Sequence, residues 1–153
     1  MARASDHLHL VNRNQEALDF LLREDSRFPE WIATVAFYKA VHVVEAVLVV
    51  QGIGSSTDHW ERLNQLKRDK RFTKMHEHFR PMFNASLIAR YLSDVDGNTG
   101  FKTFTDYIPA DQVKAKLVRH RLHQLEESAV KFLTKDLADK LKRAVPAPSA
   151  VDS

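Results

Sequence analysis

The chain has 153 residues, 44% hydrophobic and 28% charged, with 23 lysines and arginines against 20 aspartates and glutamates for a net charge of +3. Such usage fits one globular domain with a single core, and the near balance of charge permits a polyanionic partner without demanding one. The absence of cysteine excludes disulfide scaffolds, thiolate zinc sites and cysteine nucleophiles.

Residues 1–20 contain no apolar core behind a basic start, so they do not read as a signal peptide, and the expected compartment is the cytoplasm. Ser5 and Asp6 are helix-starting residues. Leu10, Ala17, Leu18, Leu21 and Leu22 then recur at helical spacing to about Arg23. The break EDSRFPE follows, and Pro29 suits the first turn of a second helix because its missing N–H has no partner to lose there. Two helices joined so closely are expected to pack as an antiparallel hairpin.

The second helix is the one around which the rest should be built. From Trp31 to Val50 every residue is apolar except Thr34, Tyr38, Lys39, His42 and Glu45, the pattern of a helix buried nearly all round. It is long enough to span a membrane, but Lys39 alone would cost roughly 2.5 to 3.5 kcal/mol at mid-bilayer, and Glu45 adds to that. The expectation is a core helix and no membrane. Thr34, Tyr38, His42 and Glu45 share an arc of about 80°, while Lys39 points elsewhere. A polar stripe on the most buried helix is either a satisfied structural network or the wall of a site.

This helix ends at GIGSSTD, which holds two of only four glycines. Asp58 and Glu61 then form a capping-box pattern that starts a third helix at His59. His59 and Arg62, three apart, share a face. Met75, Phe79, Phe83, Leu87 and Tyr91 continue an apolar stripe that Pro81 should kink or split. Residues 93–109 lose the period but carry Phe101, Phe104 and Tyr107, which read as pinning a long loop. A final helix is expected over 110–143, with Val118, Leu122, Leu125, Ala129 and Phe132 as a packing seam. Its early part, residues 114–123, is the densest basic stretch and a candidate nucleic-acid footprint. The organisation expected is one helical domain over 1–143 and a disordered tail over 144–153. The fold class is all-α, an up-down bundle of four to five helices.

Phe37, Tyr38 and His42, then His59 and Arg62 after the glycine loop, then Ala89, Arg90 and Tyr91, together resemble the HEPN family of small helical-bundle domains over about residues 31–91. The resemblance implies a HEPN-like bundle, a frequent homodimer and, for many members, metal-independent ribonuclease activity of the toxin or defence type. That activity is tied to an arginine followed four to six residues later by a histidine, with a polar residue after the arginine. Arg71 with His76 or His78 meets the spacing, although Phe72 stands at the polar position. On a continuous helix Arg71 and His78 would lie about 20° apart and Arg71 and His76 about 140° apart. Arg119 and His123 are also co-facial, at a shorter spacing.

Two candidate constellations result. Arg71 with His78, or His42 in the hub stripe, could act as the catalytic pair: a histidine titrating near neutrality moves protons, and an arginine holds the phosphorane. Alternatively Tyr38, His42, Glu45, His59, Arg62 and Arg90 form one charged pocket in which two arginines hold a phosphate or carboxylate and Glu45 orients His42. The bland reading of the same residues is a Glu45–arginine ion pair and a Tyr38–His42 bond that fix helix register. No glutamate has a histidine three residues on, and the pairs His7/His9 and His76/His78 lack a third ligand, so no metal or other cofactor is expected. The chain shows no phosphate-binding glycine loop and no Gly-x-Ser-x-Gly elbow. The expected partners are RNA and a second copy of the chain, with an antitoxin or a nucleotidyltransferase-like protein as the partner of a non-catalytic interaction module.

Overall fold

The computed structural model describes residues 2–23, 27–56 and 58–146, and among them every regular element is helical. Helix α1 (Ala4–Arg23) and helix α2 (Pro29–Val50) pack along their length as the expected hairpin. Part of the break between them, residues 24–26, lies outside the described residues. Pro29 sits at the start of α2 as the sequence requires.

Helix α2 is the hub. By length and composition it could cross a membrane, yet 78% of that stretch is buried within the protein, against α1, the later helix Thr73–Tyr91 (α4) and the C-terminal helices. Phe37 sits at the crossing with α4, its ring 5.6 Å from Phe79 and 5.5 Å from Phe83, distances typical of favourable aromatic pairs. The chain leaves α2 through Gly52 and Gly54, at φ 75° and 89°, where side-chain-bearing residues are strained. Ile53 and Gly54 both donate to Leu48 O, which turns the chain back towards the next helix.

Helix α3 (His59–Arg68) is capped by Asp58, whose carboxylate accepts from Glu61 N at 2.8 Å. Asp69 caps a 3₁₀ turn (Lys70–Phe72), after which α4 runs from Thr73 to Tyr91. Pro81 does not split α4. It removes one bond to Glu77, but Phe79, Met82 and Phe83 on either side are buried in the core, which packs both halves as one helix. Leu92 closes α4 in the left-handed region at φ 55°.

Loop residues 93–109 are pinned as anticipated, with Phe104 and Ile108 buried and Phe101 and Tyr107 packed against the core. The expected long final helix, however, is a series of different windings. A 3₁₀ turn (Ala110–Gln112) leads into a π-helix (Lys114–Leu122), then α5 (His123–Ala129), a 3₁₀ turn (Val130–Phe132) and, after a break, α6 (Lys135–Lys140). The π winding is visible at its end, where His123 N–H reaches Val118 O, five residues back. The break has a local cause: Leu133 is extended, and the Thr134 hydroxyl accepts from Leu137 N to start α6 afresh.

The chain after α6 folds back over α1 instead of continuing as a helix. Asn12 bonds Lys140 O at 3.0 Å and Lys142 N at 2.9 Å. Ala144, placed by the sequence reading in a disordered tail, is 1% exposed and donates to Glu126 at 3.0 Å. Residues 147–153 of that tail lie outside the described residues.

This return strand of chain encloses Lys39. Its ammonium is fully buried and donates to Gln15 Oε1 at 2.6 Å, Glu126 Oε1 at 2.6 Å and Lys142 O at 2.7 Å. All three donors are thereby satisfied. Burial pulls the Lys39 pKa below the ordinary lysine value, and the Glu126 carboxylate pulls it back.

Candidate functional site

The polar stripe of α2 faces the start of α3 and the end of α4. Glu45, 3% exposed, accepts from Arg62 Nε at 2.6 Å. Its oxygens also accept from Ser56 N at 3.2 and 3.3 Å. The same guanidinium donates through Nη1 to His59 Nδ1 at 2.7 Å, which fixes the His59 proton on Nε2. The capping of α3 by Asp58 therefore sets the register that delivers His59 and Arg62 to Glu45. A charge pair this deeply buried persists only because each partner is hydrogen-bonded as well as paired.

His42 takes a different partner from those the sequence suggested. Its Nδ1 lies 3.1 Å from Nδ1 of His7 on α1, so one imidazole donates and the other accepts, and the rings stack at 5.4 Å. Glu45 is occupied by Arg62 and Ser56, so its part in orienting His42 is electrostatic. Burial, then the neighbouring His7 and Arg62, push the His42 pKa down to about 4 against the pull of Glu45. Burial also lowers His7 and His59, the latter with Arg62 and Arg90 adding to the effect. All three imidazoles are consequently neutral near pH 7.

At the mouth of this cluster Arg90, in the last turn of α4, donates to Tyr38 Oη at 3.3 Å and to Ser86 O and Oγ at 3.2 Å. Its guanidinium lies over the rings of Tyr38 at 5.7 Å and Tyr91 at 5.1 Å. Tyr38 does not bond His42; its hydroxyl is Arg90's. Around Arg90 the surface is aromatic: Tyr91 is 66% exposed and Trp31 57%, and Trp31 and Arg90 line one cavity of about 280 Å³.

Five of the six residues of the sequence-derived pocket thus join in one chain of contacts, Glu45–Arg62–His59 and, through the His59 and Tyr38 rings 6.4 Å apart, Tyr38–Arg90. His42 stands outside this chain of contacts, bonded to His7 and felt by Arg62 and Glu45 through charge alone. The sequence did signal His7, since it falls in line with Val11 and Leu18 on the buried face of α1, where a polar residue needs a partner.

The other candidates lie elsewhere. Arg71 is in the 3₁₀ turn, outside the helix that carries His76 and His78, and its guanidinium is bound to Asp69 at 2.8 Å and to Gln51 at 2.9 Å. His78 turns instead to the π-helix, 3.3 Å from Arg121 Nη1 and against the His120 ring. The continuous-helix alignment of Arg71 with His78 fails because the chain changes winding between them. His123 accepts no substrate-like position either: its Nδ1 is 3.1 Å from Ala144 O and its Nε2 3.6 Å from Glu127. Arg119 lines a separate cavity beside α1. Among the described residues no group of three or more metal-ligating side chains is present.

Fold and site together define an all-α helical bundle with a buried histidine, arginine and glutamate cluster opening beneath an aromatic rim. No family model matches the chain, and no curated protein or solved structure matches it.

Proposed function

We propose that the chain is a HEPN-like domain that acts on RNA, as a metal-independent endoribonuclease whose site is the His42 and Arg90 mouth of the hub cluster. One observation carries this reading: of the scattered residues on which the HEPN resemblance rests, Phe37, Tyr38, His59, Arg62 and Arg90 converge on a single contact network, and His42 lies one turn from Tyr38 on the same helix. Sequence spacing alone had no reason to produce that.

The chemistry follows from the protonation states. Neutral His42 accepts the proton of a ribose 2′-hydroxyl on Nε2 in the tautomer whose Nδ1–H donates to His7 Nδ1. Arg90 offers a permanent charge to the scissile phosphate, and Tyr38, Trp31 and Tyr91 offer faces on which an unstacked base can rest. With a pKa of about 4 His42 is unprotonated near pH 7 but a weak base, and the leaving 5′-oxygen takes its proton from water, so the expected cleavage is slow and rises with pH through about 4 to a plateau.

A second reading is supported by the rim itself. Exposed tryptophan, tyrosine and arginine around one depression is the composition of a protein-docking hot spot. On this reading the domain is a non-catalytic module that pairs with a nucleotidyltransferase-like or antitoxin protein, or with its own second copy, and the buried cluster only fixes helix register. RNA cleavage in chelator separates the two. The proposal expects product from the wild type, none from His42→Ala, and wild-type product from His78→Ala and Arg71→Gln. No product and no RNA binding from the wild type would leave the interaction module.

A further inference from the structure

We infer that the cavity between α1, the π-helix and Val145 is a binding site for a small carboxylic acid with a short apolar tail. It has a volume of about 250 Å³, just below the range of about 300 to 1,000 Å³ typical of sites for drug-sized ligands, so its occupant is small. The inference does not depend on the RNA reading, because none of the hub-mouth residues lines this cavity.

Charge defines the head group. Three cations, Arg23, Lys114 and Arg119, line the cavity with a single acid, Asp19. Asp19 already accepts from Gln15 Nε2 at 2.7 Å, and Gln15 in turn holds the buried Lys39. None of the three cations makes a hydrogen bond or ion pair with a described residue, whereas most other arginines of the chain do. Arg119 Nε is buried with no hydrogen-bond partner. A buried guanidinium N–H left unpaired is costly, and a carboxylate fork is its natural complement.

The π winding is what assembles these groups. At about 80° per residue, a π-helix brings residues i, i+4 and i+5 to one side. Lys114, Val118 and Arg119 have that spacing and all line the cavity. In an α-helix Arg119 would be turned about 140° away from Lys114. The rest of the wall, Leu22, Val118 and Val145, is aliphatic and receives the tail. Hydrophobic contact there distinguishes a carboxylic acid from a bare anion.

Hexanoate is the probe, titrated into the full chain by calorimetry beside hexanol and inorganic phosphate. The expected result is saturable one-to-one hexanoate binding at millimolar concentrations, with hexanol and phosphate both weaker. Arg119→Gln should weaken hexanoate by about tenfold or more, the equivalent of one charge-assisted hydrogen-bond pair. Lys114→Gln, at a half-exposed position, and Val145→Asp give the same test should Arg119→Gln lose its helical circular dichroism. No hexanoate binding would overturn the proposal, as would equal affinity for hexanol, tighter binding of phosphate, or affinity unchanged in all three variants.

Discussion

Replacing Lys39 with methionine should be among the most destabilising single substitutions in this chain. The change preserves the aliphatic stem and deletes only the ammonium, which leaves Glu126 fully buried without its closest cation and Gln15 Oε1 and Lys142 O without their donor. Breaking one side of a buried ion pair costs about 3 to 5 kcal/mol, a large part of the roughly 5 to 15 kcal/mol that holds an average domain together. At roughly 2 to 4 °C per kcal/mol for a chain of this size, the melting temperature should fall by about 6 to 20 °C. Removing the orphaned charge as well, in Lys39→Met/Glu126→Gln, keeps acceptors for Ala144 N and should recover about 2 kcal/mol or more of the loss. Urea unfolding followed at 222 nm by circular dichroism measures both. A loss below about 1 kcal/mol for Lys39→Met, or a double variant no more stable than the single one, would refute the view that this pair is a satisfied unit sealing the C-terminal chain onto α1 and α2.

Arg62→Ala leaves Glu45 buried and His59 without its donor, so the same urea experiment should show a loss of about 3 kcal/mol or more, not rescued by Glu30→Ala on the same helix. For His42 the folded-state pKa of about 4 lies below the unfolded value of 6.5. The unfolded chain therefore binds more protons between those values, and stability should rise with pH across that window and fall as the solution is acidified towards pH 4. His42→Gln should flatten this dependence, and a His42 ring resonance titrating near pH 6.5 by NMR would contradict it. Leu92, at φ 55° and partly exposed, should accept glycine with a gain of about 0.5 to 1 kcal/mol, read as a higher urea midpoint at unchanged slope.

The parts of the fold that the sequence revealed are those where one local rule dominates. The near-continuous apolar run of α2, Pro29 at its start, the two glycines after it and the Asp58 cap each act within a few residues, and each appears where expected. Lys39 stands out in the apolar run of α2 as a charge that must be paired, but its partners are 24, 87 and 103 residues away, beyond any local pattern. The C-terminal region misled for a related reason. A seam at spacings of four and three fits an α-helix, and nothing in Lys114–Leu122 announces a π winding; Leu117, Val118 and Leu122 are its buried residues, in a segment that packs on α2 and α4. The break at Leu133 and Thr134 was legible in principle, since Thr134 heads a helix start, but the helical period on both sides masked it. The hub stripe was visible as an arc of polar residues, and the pairing of Glu45 with an arginine was foreseen; the diversion of His42 to His7 was not, because it depends on how α1 docks.

The site's location is tested most directly by fluorescence anisotropy of a labelled single-stranded RNA, in chelator at neutral pH, with the wild type and the variants Arg90→Gln and Arg121→Gln. Both substitutions are at partly exposed positions, so binding can be compared at matched stability. The account predicts that Arg90→Gln weakens binding about tenfold or more while Arg121→Gln leaves it unchanged. Affinity unaffected by Arg90→Gln but abolished by Arg121→Gln would contradict it, and would move RNA from the hub mouth to the basic face of the π-helix.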